Sequence, residues 1–316
     1  MRKGKRWLAA AVSAAMIVQS LASVGPVYAA DDGVSIADTF TDSSFRSYVS
    51  SNFDTDSNGY LSDAEISNVT SIDVSKCSPA ISSLNGVELF TNLSKLDCNE
   101  QSIRNLDIEN LENLEYIDVS SNRIDSLTLP VSAEKLTYLD ISGNKITSLT
   151  SLADYNNLVL LNANSTNLSS IDVSNMKGLK VLGVSGTTIS TLDLGSNMEL
   201  TTLYCDSMRS LPVLDVSGHE KLKNLYCAGA KSDSGVVVRS SITKLDVSGD
   251  IVLGSLDCSN SYVAELNIDN TPALTTLDCS NTRLTSIDVS KNTSLSYLDV
   301  SSNVLGAVDF TDRKST

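Results

Sequence analysis

Apolar residues return along this chain with a beat of 21 or 22 positions. Leu93, Leu96 and Cys98 set them at offsets 0, 3 and 5, and the pattern restarts at Leu114, Leu136, Leu158, Leu179, Leu200, Leu222, Leu253, Leu274 and Leu295. One step is longer, 31 residues from Leu222 to Leu253, with about ten residues inserted after Ala230. Each unit has a second half in the style of Leu/Ile-Asp-Val-Ser, as in Ile171–Ser174, Leu245–Ser248 and Ile287–Ser290. Alternation over such short stretches predicts two brief strands per unit, one on each flank of a coil. A single coil cannot bury its own apolar residues, so neighbours must stack. The expected architecture is a narrow, mainly β solenoid of about ten coils with few helices.

A period of this length with L-x-x-L-x-L spacing is the mark of a leucine-rich repeat. The units resemble the bacterial 21-residue class reading LxxLxCxxNxLxxLDLxxNxx, found in exported, internalin-like surface proteins. The resemblance covers residues 93–309, and Leu274–Thr293 fits it well. It implies an inward asparagine ladder, which this chain keeps only in part. Asn122, Asn144 and Asn303 fill the first such slot, whereas Thr166, Thr187, Met208, Ala230 and Thr282 replace it elsewhere.

Ahead of the array, residues 1–30 read as a signal peptide. Arg2, Lys3, Lys5 and Arg6 precede an apolar run from Trp7 to about Val18, and Val27–Ala30 offers the small residues of a cleavage site. The run is short for a membrane span, so no transmembrane segment is expected after cleavage. Residues 31–68 form a small helical cap, 69–92 a transition segment, 93–310 the solenoid and 311–316 a tail.

The cap holds the strongest chemical motif. Asp54-Thr-Asp56-Ser-Asn58-Gly59-Tyr60-Leu-Ser62-Asp-Ala-Glu65 matches an EF-hand calcium loop. Hard Ca²⁺ takes six to eight oxygens, a glycine at the sixth position permits the sharp turn, and a terminal glutamate closes the shell with two oxygens. Asp54, Asp56 and Asn58 would ligate through side chains, Tyr60 through its carbonyl, Ser62 directly or through water, and Glu65 bidentately. Phe40, Phe45, Val49 and Phe53 give the preceding segment an apolar helical stripe. A metal-free Asp/Asn/Ser turn is the plain alternative; a dockerin would carry the loop twice, and one copy is present. The cap also resembles the N-terminal region of clostridial-type surface repeat proteins, which implies a structural clamp on the first coil.

Composition narrows the function. The chain has 316 residues and a net charge of −15, which loss of the signal segment would take to −19. So acidic a protein is not expected to bind nucleic acid, which demands clustered cations. The one histidine, His219, rules out multi-histidine metal sites and sits at a repeat turn position. Carboxylate pairs occur only as periodic columns and no G-x-S-x-G elbow exists, so an enzyme is not expected. Cys98, Cys205, Cys227, Cys258 and Cys279 share the inward offset 5 with valine and alanine, and read as buried free thiols rather than disulfides; Cys77 lies outside the array.

The outward offset 4 runs Asp97, Asp118, Asp140, Asn162, Gly183, Tyr204, Tyr226, Asp257, Asp278, Asp299. Its acids stop in the middle, where Leu160 and Val181 stand alongside at offset 2 and the insertion emerges after Tyr226. Tyr204, Tyr226, Leu160 and Val181, with Lys231 and Arg239 of the 228–241 loop, are therefore the candidate surface for a protein or glycan partner on the concave face. The expected molecule is a secreted or cell-surface monomer with a recognition role. A passive wall or matrix spacer, or the binding part of a glycan-degrading system, are the alternatives.

Overall fold

The computed structural model describes residues 33–149, 152, 154–231 and 236–309. The signal segment and the tail after 310 lie outside the described residues. From Ser71 to Asp299 the chain coils in one direction, and each turn adds one strand to a parallel sheet of 11 strands. The strands are three residues long and in phase: Leu203 sits opposite Leu182 on one side and Leu225 on the other. A 21-residue period produces this register, because each coil returns its central leucine to the same inward site. These leucines, with Ile72, Leu96, Ile117 and their equivalents, are buried in one continuous core. One more coil exists than the leucine pattern shows. Its strand, Ser71–Asp73, pairs with Lys95–Asp97 and buries Ile72 in place of the leucine.

The second flank is less regular than two strands per coil. Strands occur at Asn105–Asp107, Ser126–Thr128, Val213–Asp215, Lys244–Asp246, Glu265–Asn267, Ser286–Asp288 and Ala307–Asp309. Among the described residues none forms there between Thr128 and Val213. Ala264 and Thr243 each donate an N–H to the carbonyl of the coil before, and Thr243 donates to Pro212. Pro212 occupies the same slot but has no N–H to pass on, so the ladder begins afresh at Val213.

The two ladders of inward polar residues show how the departures are absorbed. Asn122 Nδ2 donates to carbonyls of its own coil and to Cys98 of the coil before, and its Oδ1 accepts from Ile103. Thr166, Thr187 and Thr282 each donate one hydroxyl to the carbonyl three residues back. A hydroxyl has one hydrogen where an amide has two, so threonine holds its own coil closed without the bond back to the carbonyl of the coil before, while Thr187 and Thr282 also contact Met208 and Asn303 of the coil after. On the other flank His219 is a buried rung rather than a surface turn residue. Its Nδ1 lies 2.8 Å from the Val216 carbonyl and its Nε2 3.2 Å from that of Leu194.

All six cysteines are free, and the five at offset 5 are buried. Cys205, Cys227, Cys258 and Cys279 stand in consecutive coils. Burial pushes these thiols up, Cys279 to about 12. In a timed thiol-labelling assay Cys77 is expected to react first and the other five only on unfolding. Fast labelling of more than one thiol in the native protein would contradict this packing.

The cap has three helices: α1 (Ile36–Thr39), α2 (Ser43–Phe53) and α3 (Asp63–Asn68). Asp42 caps α2 by accepting from Ser44 and Phe45, while its other oxygen accepts from the amide and hydroxyl of Ser82. Phe40, Phe45, Phe53 and Phe90 pack as edge and stacked pairs with centroids 5.4–6.0 Å apart. Phe40 lies so close to Gly86 (φ +98°) that a Cβ there would meet its ring at 2.6 Å. The cap also covers the sheet's first edge, where Tyr48 Oη accepts the N–H of Asp73.

Candidate functional site

The acidic loop lies between α2 and α3. Gly59 has φ +87°, and a glycine meets this demand without steric cost. Asp54 is buried; its two oxygens accept from the amides of Asn58 and Gly59. Asp56 accepts from the amide and side chain of Asn58, and Asn58 Oδ1 accepts from the Tyr60 N–H. Ser62 and Glu65 form a capping box that starts α3. Glu65 Oε1 accepts from the hydroxyl and amide of Thr55, and Oε2 from the amide and hydroxyl of Ser62. These bonds, the Thr55 hydroxyl foremost, hold its carboxyl down at about 2.

One oxygen from each of Asp54, Asp56 and Glu65 falls within a group no wider than 4.8 Å. Among the described residues, no lysine or arginine pairs with any of the three. Three like charges this close repel unless a cation joins them, and an all-oxygen set suits a hard divalent ion. The donor set therefore fits calcium. The short strand that leaves the loop, Tyr60–Leu61, pairs antiparallel with Val34–Ser35. Gly33 permits the approach, because a Cβ there would meet the Leu61 carbonyl at 2.9 Å. The sequence reading did not foresee this partner strand, since two residues carry no periodicity.

The second candidate lies on the outer face of the 11-stranded sheet. Asp97, Asp118 and Asp140 are largely buried there, which the word column conceals. Asp118 and Asp140 each accept from the amide and hydroxyl of the serine two residues on. Asn99 bridges Asp97 and Asp118, and Asn162 donates to Asp140. In the middle of the sheet Tyr204 and Tyr226 are 37% and 42% exposed, and their rings stack at 4.9 Å. Leu160 and Val181 are half-buried in adjoining strands. The structure extends the strip toward the N-terminus. Tyr116 and Tyr138 stack at 4.2 Å beside Leu160, with the Lys95 ammonium 5.2 Å over Tyr116. Sequence reading passed over this pair because it occupies offset 2, while the search for irregularity followed offset 4.

The insertion is a hairpin, Ala230–Lys231 against Val237–Val238. Lys231 is exposed and pairs with Val237. Arg239 turns away from the tyrosine strip: its guanidinium donates to the carbonyls of Ser261 and Asn281 and to the Asn281 side chain.

The fold is that of the leucine-rich repeat proteins. Leucine-rich repeat family signatures match residues 112–154, as two copies, and residues 291–308. Among solved structures the chain is similar to three from Listeria monocytogenes. The functional domain of InlJ, described as including a cysteine ladder, is 24% identical over 90% of this chain and 75% of that one, with a TM-score of 0.52. The internalin InlF is 18% identical over 89% and 96%, with a TM-score of 0.55. Internalin C2 is 17% identical over 79% and 95%, with a TM-score of 0.53. No curated protein matches the sequence. Among the described residues no helix is long and apolar enough to cross a membrane.

Proposed function

We propose that this chain is an exported, non-enzymatic recognition protein that holds a protein partner on its parallel sheet and carries one structural calcium ion in its cap. The observation behind this reading is the break in the acid column. The aspartates of offset 4 give way over four consecutive strands to Asn162, Gly183, Tyr204 and Tyr226, and Tyr116, Tyr138, Leu160 and Val181 line the adjoining offset 2. An aromatic and aliphatic strip of this kind on a polar surface has no packing role to explain it. The tyrosines stack on one another in pairs, so their ring faces are partly occupied. That arrangement favours a protein partner over a sugar, which seeks an open aromatic face. Tyrosine is among the residues most enriched in the anchors of protein interfaces. The signal segment supports export, and the oxygen cluster of Asp54, Asp56 and Glu65 supports the calcium assignment, with Asn58, Tyr60 and Ser62 completing the shell.

The test is a binding array of purified extracellular proteins probed with wild type and with Tyr204→Asp/Tyr226→Asp. A true partner is expected to lose at least about tenfold in affinity, an anchor's worth of binding energy. Both changes are at exposed positions, so the thermal transition should stay in place. Partners that bind both proteins equally would reject the strip as the site, and an array with no ligand would favour the spacer reading.

A further inference from the structure

Cations in this acidic protein are not spread at random. Among the described residues every ion pair uses a lysine, namely Lys95, Lys221, Lys244 and Lys291. No arginine forms one. Arg123, Lys145, Arg209 and Arg283 all occupy offset 9, the corner between the sheet and the second flank, and all four are exposed. Arg239 joins this ridge through the insertion. The bridge Ser240↔Ser261 brings the inserted chain back into register, and places Arg239 two residues ahead of Ser241, which holds the ridge position in its coil.

At the C-terminal end the ridge becomes an ordered group. Tyr262 stands at offset 9 between the two arginines. The Arg283 guanidinium lies 4.3 Å from its ring centroid and that of Arg239 lies 5.5 Å away. Arg239 is anchored by carbonyls of Ser261 and Asn281, which fixes its position but leaves its charge unneutralised. The Arg283 backbone N–H donates to the Val263 carbonyl, but its side chain donates to no described residue, so its fork of N–H groups faces solvent while the ring stack restrains its orientation. In the coils of Tyr262 and Arg283 the surrounding corner positions are Ser259, Asn260, Ser261 and Ala264, then Ser280, Asn281, Thr282 and Thr285. None of these is acidic.

We infer that this corner, centred on Arg239, Tyr262 and Arg283, is a binding site for a linear anionic polysaccharide bearing carboxylate or sulfate groups. Arg283 presents the planar pair of donors that such groups accept, and Arg239, its fork engaged by Ser261 and Asn281, adds its charge on the other side of the ring. The ridge runs along the coil axis with one position about every 4.8 Å, so a linear chain can follow it past Arg209. The partner must be a sparsely charged chain. A nucleic acid duplex carries charge at far higher density and would meet the acid columns around the corner. This site lies on a different face from the tyrosine strip and does not depend on it.

The test measures fluorescence anisotropy of three labelled probes with the full chain at 50 mM and 200 mM salt. The probes are a kappa-carrageenan hexasaccharide, which carries one sulfate per disaccharide and no carboxylate, a galacturonate hexamer and neutral cellohexaose. At least one anionic probe is expected to bind, more weakly at the higher salt, and cellohexaose is not. Arg283→Gln, at an exposed position, is expected to weaken the anionic probe about tenfold, the loss of one charge-assisted pair. Arg283→Lys recovers part of it, and Tyr204→Asp/Tyr226→Asp changes nothing. The two anionic arms separate sulfate from carboxylate recognition. Equal binding by wild type and Arg283→Gln overturns the proposal. So does failure of both anionic probes at 50 mM salt, or a single-stranded DNA oligomer that binds through Arg283 when neither sugar does.

Discussion

Replacing Asp250 by asparagine is expected to stabilise this protein at neutral and alkaline pH and to flatten its pH dependence. Asp250 is fully buried. One of its oxygens accepts from the His219 N–H at 2.9 Å, and the other has no partner. Burial, with smaller contributions from Asp246 and Asp215, pushes its carboxyl up to about 8, against the lowering effect of the His219 amide. In the unfolded chain the same group titrates near 3.9. Between these values the folded state keeps a proton that the unfolded state has released. Stability from this group is therefore complete below about pH 4, declines as pH rises and levels off above about 8, at a limiting slope of about 1.4 kcal/mol per pH unit. The hydrogen-bonded acids oppose it at the acid end. Asp42, Asp73 and Asp246 are held below their ordinary range by serine and backbone donors, so their contribution is lost as pH falls below about 4.

Asparagine keeps the acceptor for His219 and replaces the orphaned oxygen with an N–H₂ donor. In the rung of Asn197 that donor reaches the carbonyls of Val173 and Met176, and the equivalent carbonyls lie in the His219 coil. The expected gain at pH 8 is a few kcal/mol, since an unpaired buried carboxylate is among the costlier features a core can carry. Urea unfolding of wild type and Asp250→Asn from pH 5 to 8.5 is the measurement. Parallel profiles for the two proteins would show that Asp250 does not govern the slope.

The second large effect concerns the cap. If the Asp54–Glu65 loop holds calcium as proposed, saturating the ion at a hundredfold over its Kd adds about 2.7 kcal/mol to the folded state. For a chain of this size that is a rise of about 4–5 °C in melting temperature. EDTA should remove the rise, and Asp54→Asn or Glu65→Gln should abolish the response to added calcium. The cap is where the loss falls. Without a cation, three carboxylates face one another at the point where α2, α3 and the Val34–Ser35 strand converge. Loosening that point uncovers Phe45, Val49 and Leu61, and frees the Ser71–Asp73 edge that Tyr48 covers. An open edge on a parallel sheet also invites pairing with another chain, so calcium-free protein is expected to aggregate sooner on heating. Identical melting curves in calcium and in EDTA would falsify the clamp.

The two sites differed in how well they could be read in advance. The acidic loop of the cap is local: twelve consecutive residues specify both the turn and its oxygens, and the convergence of Asp54, Asp56 and Glu65 follows from their spacing. The tyrosine strip was legible at Tyr204 and Tyr226 because they interrupt a column. Tyr116 and Tyr138 were equally accessible at offset 2 and interrupt nothing. Arg239 was assigned to the Tyr226 surface on sequence proximity; an inserted segment has no repeat to set its register, and its side chain points to coils 22 and 42 residues away.

Taken alone, the sequence determined the solenoid, the phase of its coils, the inward set of leucines and cysteines, and the loop in the cap. It could do so because a repeating coil applies the same inside-outside rule every 21 residues. The tertiary structure decided the additional first coil, the missing second-flank strands before Pro212, the burial of His219 and Asp250, and the Arg239–Tyr262–Arg283 cluster. Each of these depends on which groups meet across neighbouring coils. That is set by a missing N–H, an inserted strand pair or a single rotamer, and periodicity carries no record of it.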